Sequence, residues 1–583
     1  MSAPPSPLVW TDDGSPRSRL YGDIYFSRED GLAEARAVFL AGCRLPQAWQ
    51  GRRRFVVGEL GFGTGLNILA LLHLWRATKP PGAHLHIFSV EAHPLTATEA
   101  ARALAAWPEL ADLTQFLLSR WPGQARGLHR VDLPEVSATL DLAVMEAGTA
   151  LAGWTGQADA WFLDGFSPAL NPAMWEAPLL REVARHSAPG ARAATFTVAG
   201  DVRRGLEAAG FEVAKRPGHG RKRERLEAWL PGQPTDPPVP RVAVVGAGIA
   251  GASVVRALRA LGCEPCHIEA QHLGAGASGN PAALVTPRLD AGLGPLAALF
   301  AQAYGRALRR YGTTPSAVLA RGVRHLASGS KDPARFARIA ESDLFEPGAL
   351  VVGPGTLGLS DALTVDPAAI LSAWCGEILR AQVTSLSRDD GVWSLWDPQG
   401  DLVTQAEVVI LAGGYSQLWP SPDLRPVRGQ VSWTTGGEQA PATAWGGYLI
   451  PTARGLLFGA THDRDDEGLE VRQADHARNR ATLAEGFPDL AARLELEPLE
   501  GRAALRASTT DYMPLAGPAP GAEPGLLLLG GFGSRGFCLA PLLGEYVAAL
   551  ALGAPSPLSA EHIDLVDPDR FARRAARRGR TVG

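Results

Sequence analysis

The sequence predicts an α/β chain of two Rossmann-type domains in tandem, the second with an α+β substrate subdomain set between its parts. Three observations predict it. Two glycine loops, one containing Gly61, Gly63 and Gly65 and the other Gly246, Gly248 and Gly251, each follow a short apolar run and open a stretch of helical character. Residues 231–240, PGQPTDPPVP, separate them with five prolines in ten positions, which neither a helix nor a central strand accommodates. Other short apolar runs recur with helical stretches between them, as in strands buried on both faces of a parallel sheet.

Before the proline run, residues 55–57 read as a strand entering the first glycine turn, followed by a helix over 66–75. Further strands are expected at 86–90, 141–145, 158–163 and 193–198, with a closing hairpin over 210–230. After it, a strand, turn and helix open the second domain. Residues 407–411 and 525–529 read as later strands of the same sheet, each ending in glycines, with a strand-rich region between them. The organisation is a first domain over 1–230, a linker over 231–240 and a second domain over 241–583.

Composition narrows the class. Hydrophobic residues make up 46% and charged residues 20%, as in ordinary globular chains. No apolar stretch approaches the roughly 20 residues that span a bilayer, and the first residues lack the basic and apolar regions of a secretory signal. Five cysteines are too few for a disulfide framework, and a cytoplasmic location is expected. Cys263 and Cys266 form a lone C-x-x-C without a second pair or clustered histidines, so no metal is expected and the pair reads as strand packing. The net charge of −4 gives no general attraction to nucleic acid. Two basic runs stand out: Arg221, Lys222, Arg223 and Arg225, and the tail arginines 570, 573, 574, 577, 578 and 580. Each reads either as solvated charge or as phosphate contacts.

The two loops imply different ligands. Glu59, Gly61, Gly63 and Gly65 form an acid-x-G-x-G-x-G string, with Glu91 at the end of the next strand to accept from ribose hydroxyls. It lacks the later glycine that seats a pyrophosphate, which favours S-adenosylmethionine. Gly246, Gly248 and Gly251 have the G-x-G-x-x-G spacing of a dinucleotide loop, with Glu269 as the ribose acceptor 23 positions after Gly246. Phosphates then meet the free N–H groups of a helix start. Ser278, Gly279 and Asn280 form a small-residue loop that in a flavoprotein passes near the pyrophosphate or flavin ring.

Longer strings carry a resemblance. Trp161 through Pro168 reads WFLDGFSP, Gly220 through Glu224 reads GRKRE, and the second half adds Pro426 through Gln430, Arg506 and Gly533 through Gly536. Over nearly its whole length the chain resembles the bifunctional MnmC family of tRNA 5-methylaminomethyl-2-thiouridine biosynthesis. The resemblance implies a class I Rossmann-like methyltransferase domain followed by an FAD-binding Rossmann-type domain with an α+β substrate subdomain. It also implies two consecutive steps on the wobble uridine of tRNA. The FAD domain removes the carboxymethyl group of 5-carboxymethylaminomethyl-2-thiouridine, and the methyltransferase domain then methylates the amine left behind. The sequence departs from the family at Cys43, where an asparagine-like residue is expected, and at Met145-Glu146, which replaces a glycine-aspartate pair. Glu146 is the expected adenine contact.

For methyl transfer the candidate is Asp164, at a strand end where open α/β sheets bind ligands, placed to stabilise the cationic amine and accept its proton. A turn or cap aspartate is the bland alternative. For oxidation, the substrate carboxylate calls for an arginine fork. Related glycine and sarcosine oxidases carry one in the segment of Arg506, with Arg428 and Arg535 as alternatives; Gly533 and Arg535 are expected near the flavin. A small-molecule amine oxidase fused to a metabolite methyltransferase, or a cofactor-binding scaffold without turnover, shares the glycine loops. Oligomeric state is open, a monomer included.

Overall fold

The structure, a computed structural model, describes residues 6–12, 14–27, 30–220, 222–415, 418–419, 421, 423–436 and 440–580. Arg221 and the side chains of Arg578 and Arg580, all from the basic runs, lie outside the described residues. The chain forms two compact units. One comprises Met1–Pro238 with Pro555–Ala560, the other Val239–Ala554 with Glu561–Gly583.

The first unit is built on an eight-stranded sheet. Its five middle strands run parallel in the spatial order Ala138–Val144, His84–Val90, Arg54–Leu60, Ala158–Leu163, Ser187–Thr195. Antiparallel strands flank them: Gly127–Leu133 on one edge, Glu224–Trp229 and then Glu212–Pro217 on the other. The expected parallel core is therefore present, but both margins are antiparallel. The central strand is buried throughout from Phe55, as a strand covered on both faces must be. Gly58 is demanded by packing, because a Cβ there would stand 2.4 Å from the Trp161 ring on the neighbouring strand. The helix Leu66–Thr78 buries residues on all sides, including Ile68, Leu69, Leu72 and Trp75. Under the far end of the sheet, Asp141 takes two hydrogen bonds from Arg130 and one from His86, and Arg130 also donates to Pro555 O at 3.1 Å. Burial alone would raise the Asp141 carboxyl, but the arginine beside it holds it down at about 2.

In the second unit, a six-stranded sheet runs in the order Leu379–Arg380, Cys266–Glu269, Val242–Val245, Val408–Leu411, Leu526–Gly530, Leu515–Pro518, parallel except for the last strand. The helices Ile249–Ala260 and Gly536–Leu552 cross closely, since a Cβ at Gly544 would meet Ser253 Cβ at 2.7 Å. At that crossing Glu545 is buried among Arg256, Arg306 and Arg310. A ten-stranded sheet holds the substrate subdomain, and its longest pairing joins Leu424–Thr434 to Leu499–Thr509. Among the described residues no helix is long and apolar enough to cross a membrane, and no cluster of metal-ligating side chains occurs.

Candidate active sites

In the first unit the central strand ends at Leu60, and the loop beyond turns on Gly61, Gly63 and Gly65 with φ of +98°, +52° and +79°. These are left-handed conformations that glycine adopts without steric cost. Space is short as well: a Cβ at Gly61 would collide with the Asp164 carbonyl oxygen at 2.5 Å, and one at Gly65 would press on Trp121 at 3.3 Å. The loop therefore presents bare backbone. Glu91 braces it, accepting from the Gly63 N–H at 2.9 Å through one oxygen and from the His93 N–H at 2.9 Å through the other.

The second unit repeats the arrangement. Glu269 accepts from the Ala247 N–H at 2.8 Å and from the Gln271 N–H at 2.8 Å. Each carboxylate thus spans the glycine loop and the N–H two positions beyond itself, and retains lone pairs for hydroxyls of a ligand. Gly246 has φ of +109°, and a Cβ at Gly251 would lie 1.8 Å from Gly246 O, so Gly251 serves helix-to-loop packing. Ser278 Oγ accepts from the Ile249 N–H at 3.0 Å, and a Cβ at Gly248 would stand only 3.1 Å from it. A cavity of about 1070 Å³ opens over this loop and runs to Arg506 and Arg535. That is slightly above the roughly 300–1,000 Å³ usual for ligand sites.

Asp164 and Glu59 hold the polar end of the first site. Asn67 donates to Asp164 Oδ2 at 2.7 Å, and the Gly165 N–H donates to Oδ1 at 3.0 Å. Burial pushes the Asp164 carboxyl up to about 7; Glu34 adds to the rise, while the Asn67 hydrogen bond and Lys222 oppose it. Glu59 is fully buried beneath the loop with Ser89 donating to it at 2.5 Å, and burial pushes its carboxyl up to about 8. Its Oε1 accepts no well-formed hydrogen bond among the described residues, since the nearby Asn67 amide, which lowers the Glu59 carboxyl somewhat, donates to Asp164 instead. An unpartnered buried acceptor under a bare loop, with a second carboxylate beside it, fits a cationic ligand without phosphate.

In the large cavity, Arg506 lies over Gly429, where a Cβ would collide with its guanidinium, and donates to Thr461 O at 3.1 Å. Burial pulls its guanidinium below the usual value, while Tyr448 and Asp463 oppose the fall. Arg506 forms no ion pair among the described residues. Arg428 differs. It is fully buried, pairs with Asp475 at 2.6 Å and donates to the Gly468 and Glu470 carbonyls, so it is structural and drops out as a carboxylate clamp.

Comparison with known proteins finds both kinds of domain. Residues 108–231 match an S-adenosyl-L-methionine-dependent methyltransferase family, and residues 241–550 match the FAD dependent oxidoreductase family. The tRNA 5-methylaminomethyl-2-thiouridine biosynthesis bifunctional protein MnmC of Caulobacter sp. (strain K31) is 58% identical over 98% of both chains. Its counterpart from Maricaulis maris (strain MCS10) is 44% identical over 98% of this chain and 97% of its own. The chain belongs to the MnmC family. Among solved structures, iminodiacetate oxidase from Chelativorans sp. BNC1 is similar at 21% identity with a TM-score of 0.46, covering 56% of this chain and 99% of that one.

Membership in the MnmC family brings S-adenosylmethionine and FAD dependence, and the expected residues divide around the two sites. Glu146 is exposed at the start of helix Ala147–Gly153, near enough to raise the Glu91 carboxyl. Ser278, Asn280, Gly533 and Arg535 line the cavity; Arg535 also donates to Pro287 O at 3.3 Å. Gly279 sits behind the loop, with room for no Cβ beside Gly274 O. Sequence reasoning missed Arg502, which donates to the carbonyls of Gly274, Ala275 and Gly276 and to Asn280, clamping the loop from a strand 222 residues later. It also missed Tyr448 and His462, which line the cavity beside Arg506. No spacing rule connects these residues; only the strand pairing does. Three of the tail arginines are spent on ion pairs. Arg570 and Arg574 pair with Asp511, and Arg573 pairs with Asp564 and Asp567, because residues 570–580 form a helix against acidic neighbours.

Proposed function

We propose that this chain carries out both steps at the wobble uridine of tRNA, with catalytic domains at 1–230 and 241–583 joined by 231–240. The second domain converts 5-carboxymethylaminomethyl-2-thiouridine to 5-aminomethyl-2-thiouridine, and the first methylates that amine to 5-methylaminomethyl-2-thiouridine. The observation that carries the reading is Arg506, a guanidinium without a carboxylate partner among the described residues, lining the same cavity as the dinucleotide loop.

FAD supplies the acceptor for two electrons; Gly246, Gly248, Glu269, Ser278 and Asn280 would hold it, with Gly533 and Arg535 near its ring. Arg506 pairs with the substrate carboxylate and so fixes the carbon between carboxylate and nitrogen. Tyr448, whose hydroxyl burial keeps protonated despite Arg506, donates to the same group. Loss of a hydride from that carbon gives an imine, and water divides it into glyoxylate and the primary amine.

S-adenosylmethionine supplies the electrophilic methyl; Gly61, Gly63, Gly65, Glu59, Glu91 and Glu146 would hold it. Asp164 takes a proton from the acceptor ammonium, and its value of about 7 suits both directions of transfer near neutrality. The test is purified protein, loaded with both cofactors, acting on tRNA bearing 5-carboxymethylaminomethyl-2-thiouridine. Digestion and mass spectrometry should show the methylaminomethyl nucleoside with one glyoxylate per turnover; an unchanged wobble nucleoside refutes the reading. A metabolite amine oxidase fused to a methyltransferase predicts turnover of free amines instead.

A further inference from the structure

Lys222, read from the sequence either as solvated charge or as a phosphate contact, is an exposed residue whose ammonium is nonetheless held against the protein. Its Nζ lies 2.7 Å from Glu34 Oε1 and 4.0 Å from the centre of the Phe196 ring. A carboxylate and an aromatic face around one ammonium are what recognises a primary alkylammonium. The seat adjoins the catalytic carboxylate. Phe162 pairs with Ala194 on parallel strands, and Asp164 and Phe196 each lie two residues beyond that pair, just past the carboxyl ends of these neighbouring strands. Phe196 is steadied edge-on by Trp175, whose Nε1 donates to the Phe166 carbonyl at 2.9 Å. Glu34 belongs to the short helix Gly31–Ala35, seated against Phe26 and Leu66 at the start of the helix that follows the glycine loop. The charges of both Glu34 and Lys222 are felt at Asp164.

We propose that Glu34 and Phe196 are the specificity seat for the protonated aminomethyl group of the methyl acceptor, and that Lys222 is a built-in occupant displaced when the acceptor arrives. This deepens the reading of the first domain as the amine methyltransferase and rests on it. The lysine carries the same head group as the acceptor, a primary ammonium on a methylene. Exchange leaves the half-buried Glu34 carboxylate paired throughout, so it is without a cation at no stage. The ammonium then passes a proton to Asp164, giving a neutral amine and a carboxylic acid. The amine lone pair forms the N–C bond as the methyl's C–S bond breaks, its electrons returning to sulfur. Secondary amines enter less readily, because the carboxymethyl branch of the unprocessed nucleotide brings a second carboxylate towards Glu34 and Asp164.

The test compares wild type, Lys222→Met, Glu34→Gln and Glu34→Asp on free 5-aminomethyl-2-thiouridine nucleoside and on an anticodon stem–loop containing it. Removing an internal competitor should lower the nucleoside KM in Lys222→Met by up to about tenfold, the factor by which the seat is otherwise occupied. Glu34→Gln should raise it by about tenfold, Glu34→Asp should restore part of the loss, and S-adenosylmethionine affinity should hold in all of them. n-Butylammonium chloride, tested as a competitive inhibitor and by calorimetry, should bind Lys222→Met more tightly than wild type. A Lys222→Met enzyme with unchanged nucleoside KM and a raised stem–loop KM would make Lys222 a phosphate contact and overturn the proposal. So would a higher nucleoside KM, or equal n-butylammonium affinity in both proteins. Wild-type enzyme that methylates neither substrate would instead overturn the methyltransferase reading, and the n-butylammonium comparison would still judge the seat.

Discussion

Asp164 and Glu59 have carboxyls pushed upward by the same cause, burial, but with different consequences. Asp164 must be ionised to take a proton, so methyl transfer should rise with pH up to about 7 and level off above it. Asp164→Asn keeps the shape and removes the acceptor; kcat/KM for methylation should fall roughly 10²- to 10⁴-fold while the oxidase step continues. Single-turnover assays of each step check both statements. For Glu59 the folded value of about 8 lies above the ordinary carboxylate range. Its stabilising contribution is complete at low pH and is lost as pH rises towards 8, since the unfolded chain ionises first. Thermal unfolding of the cofactor-free protein should therefore show a decline between pH 5 and pH 8 to which Glu59 adds on the order of a few kcal/mol; Glu59→Gln should remove that share, while Asp164, raised to about 7 by burial, leaves a decline of its own below pH 7. An equal slope in the variant would assign the decline to other groups. Asp164 was legible in the sequence because the strand Ala158–Leu163 ends in front of it. Lys222 was not, because its partners Glu34 and Phe196 come from segments 188 and 26 positions away.

At the scale of elements, the glycine loops were legible because their constraints are local: a left-handed φ, a close backbone, an acid at the end of the next strand. Gly251→Ala should show how tight this is. Its Cβ would enter the 1.8 Å gap to Gly246 O, so the loop must open and the helix Ile249–Ala260 shift. Overpacking of this kind costs about 1–3 kcal/mol. Absorbance at flavin wavelengths per mole of chain should fall sharply, while S-adenosylmethionine binding in the other unit is retained; full flavin content would show that the helix moves freely. Arg502→Ala should act on the same loop from the opposite side, leaving the Gly274, Ala275 and Gly276 carbonyls without their donor. The sheet margins were harder to read. Gly127–Leu133 alternates only partly between buried and open positions, and its neighbour Ala138–Val144 is buried throughout, so neither pattern declares the direction of pairing. The tail shows another limit. A run of arginines has one composition whether it meets phosphate or aspartate, and Asp511 is 59 positions upstream of Arg570.

At the scale of the whole chain, the order of domains opposes the order of reactions. The carboxylate that Arg506 would hold is removed before the amine that Asp164 would serve exists, so the two sites are linked through a product. Lesions in the two domains should therefore not add. In cells that carry Asp164→Asn as their sole copy, tRNA should accumulate 5-aminomethyl-2-thiouridine. With Arg506→Met it should accumulate 5-carboxymethylaminomethyl-2-thiouridine, because loss of the guanidinium leaves the substrate carboxylate without its bidentate partner. The double variant should match Arg506→Met alone, since the methylation site then receives no primary amine. Nucleoside mass spectrometry of bulk tRNA distinguishes these cases. If the double variant instead accumulated the primary amine, carboxymethyl removal would not require Arg506, and the clamp would pass to Arg535, the other cavity arginine considered for that role.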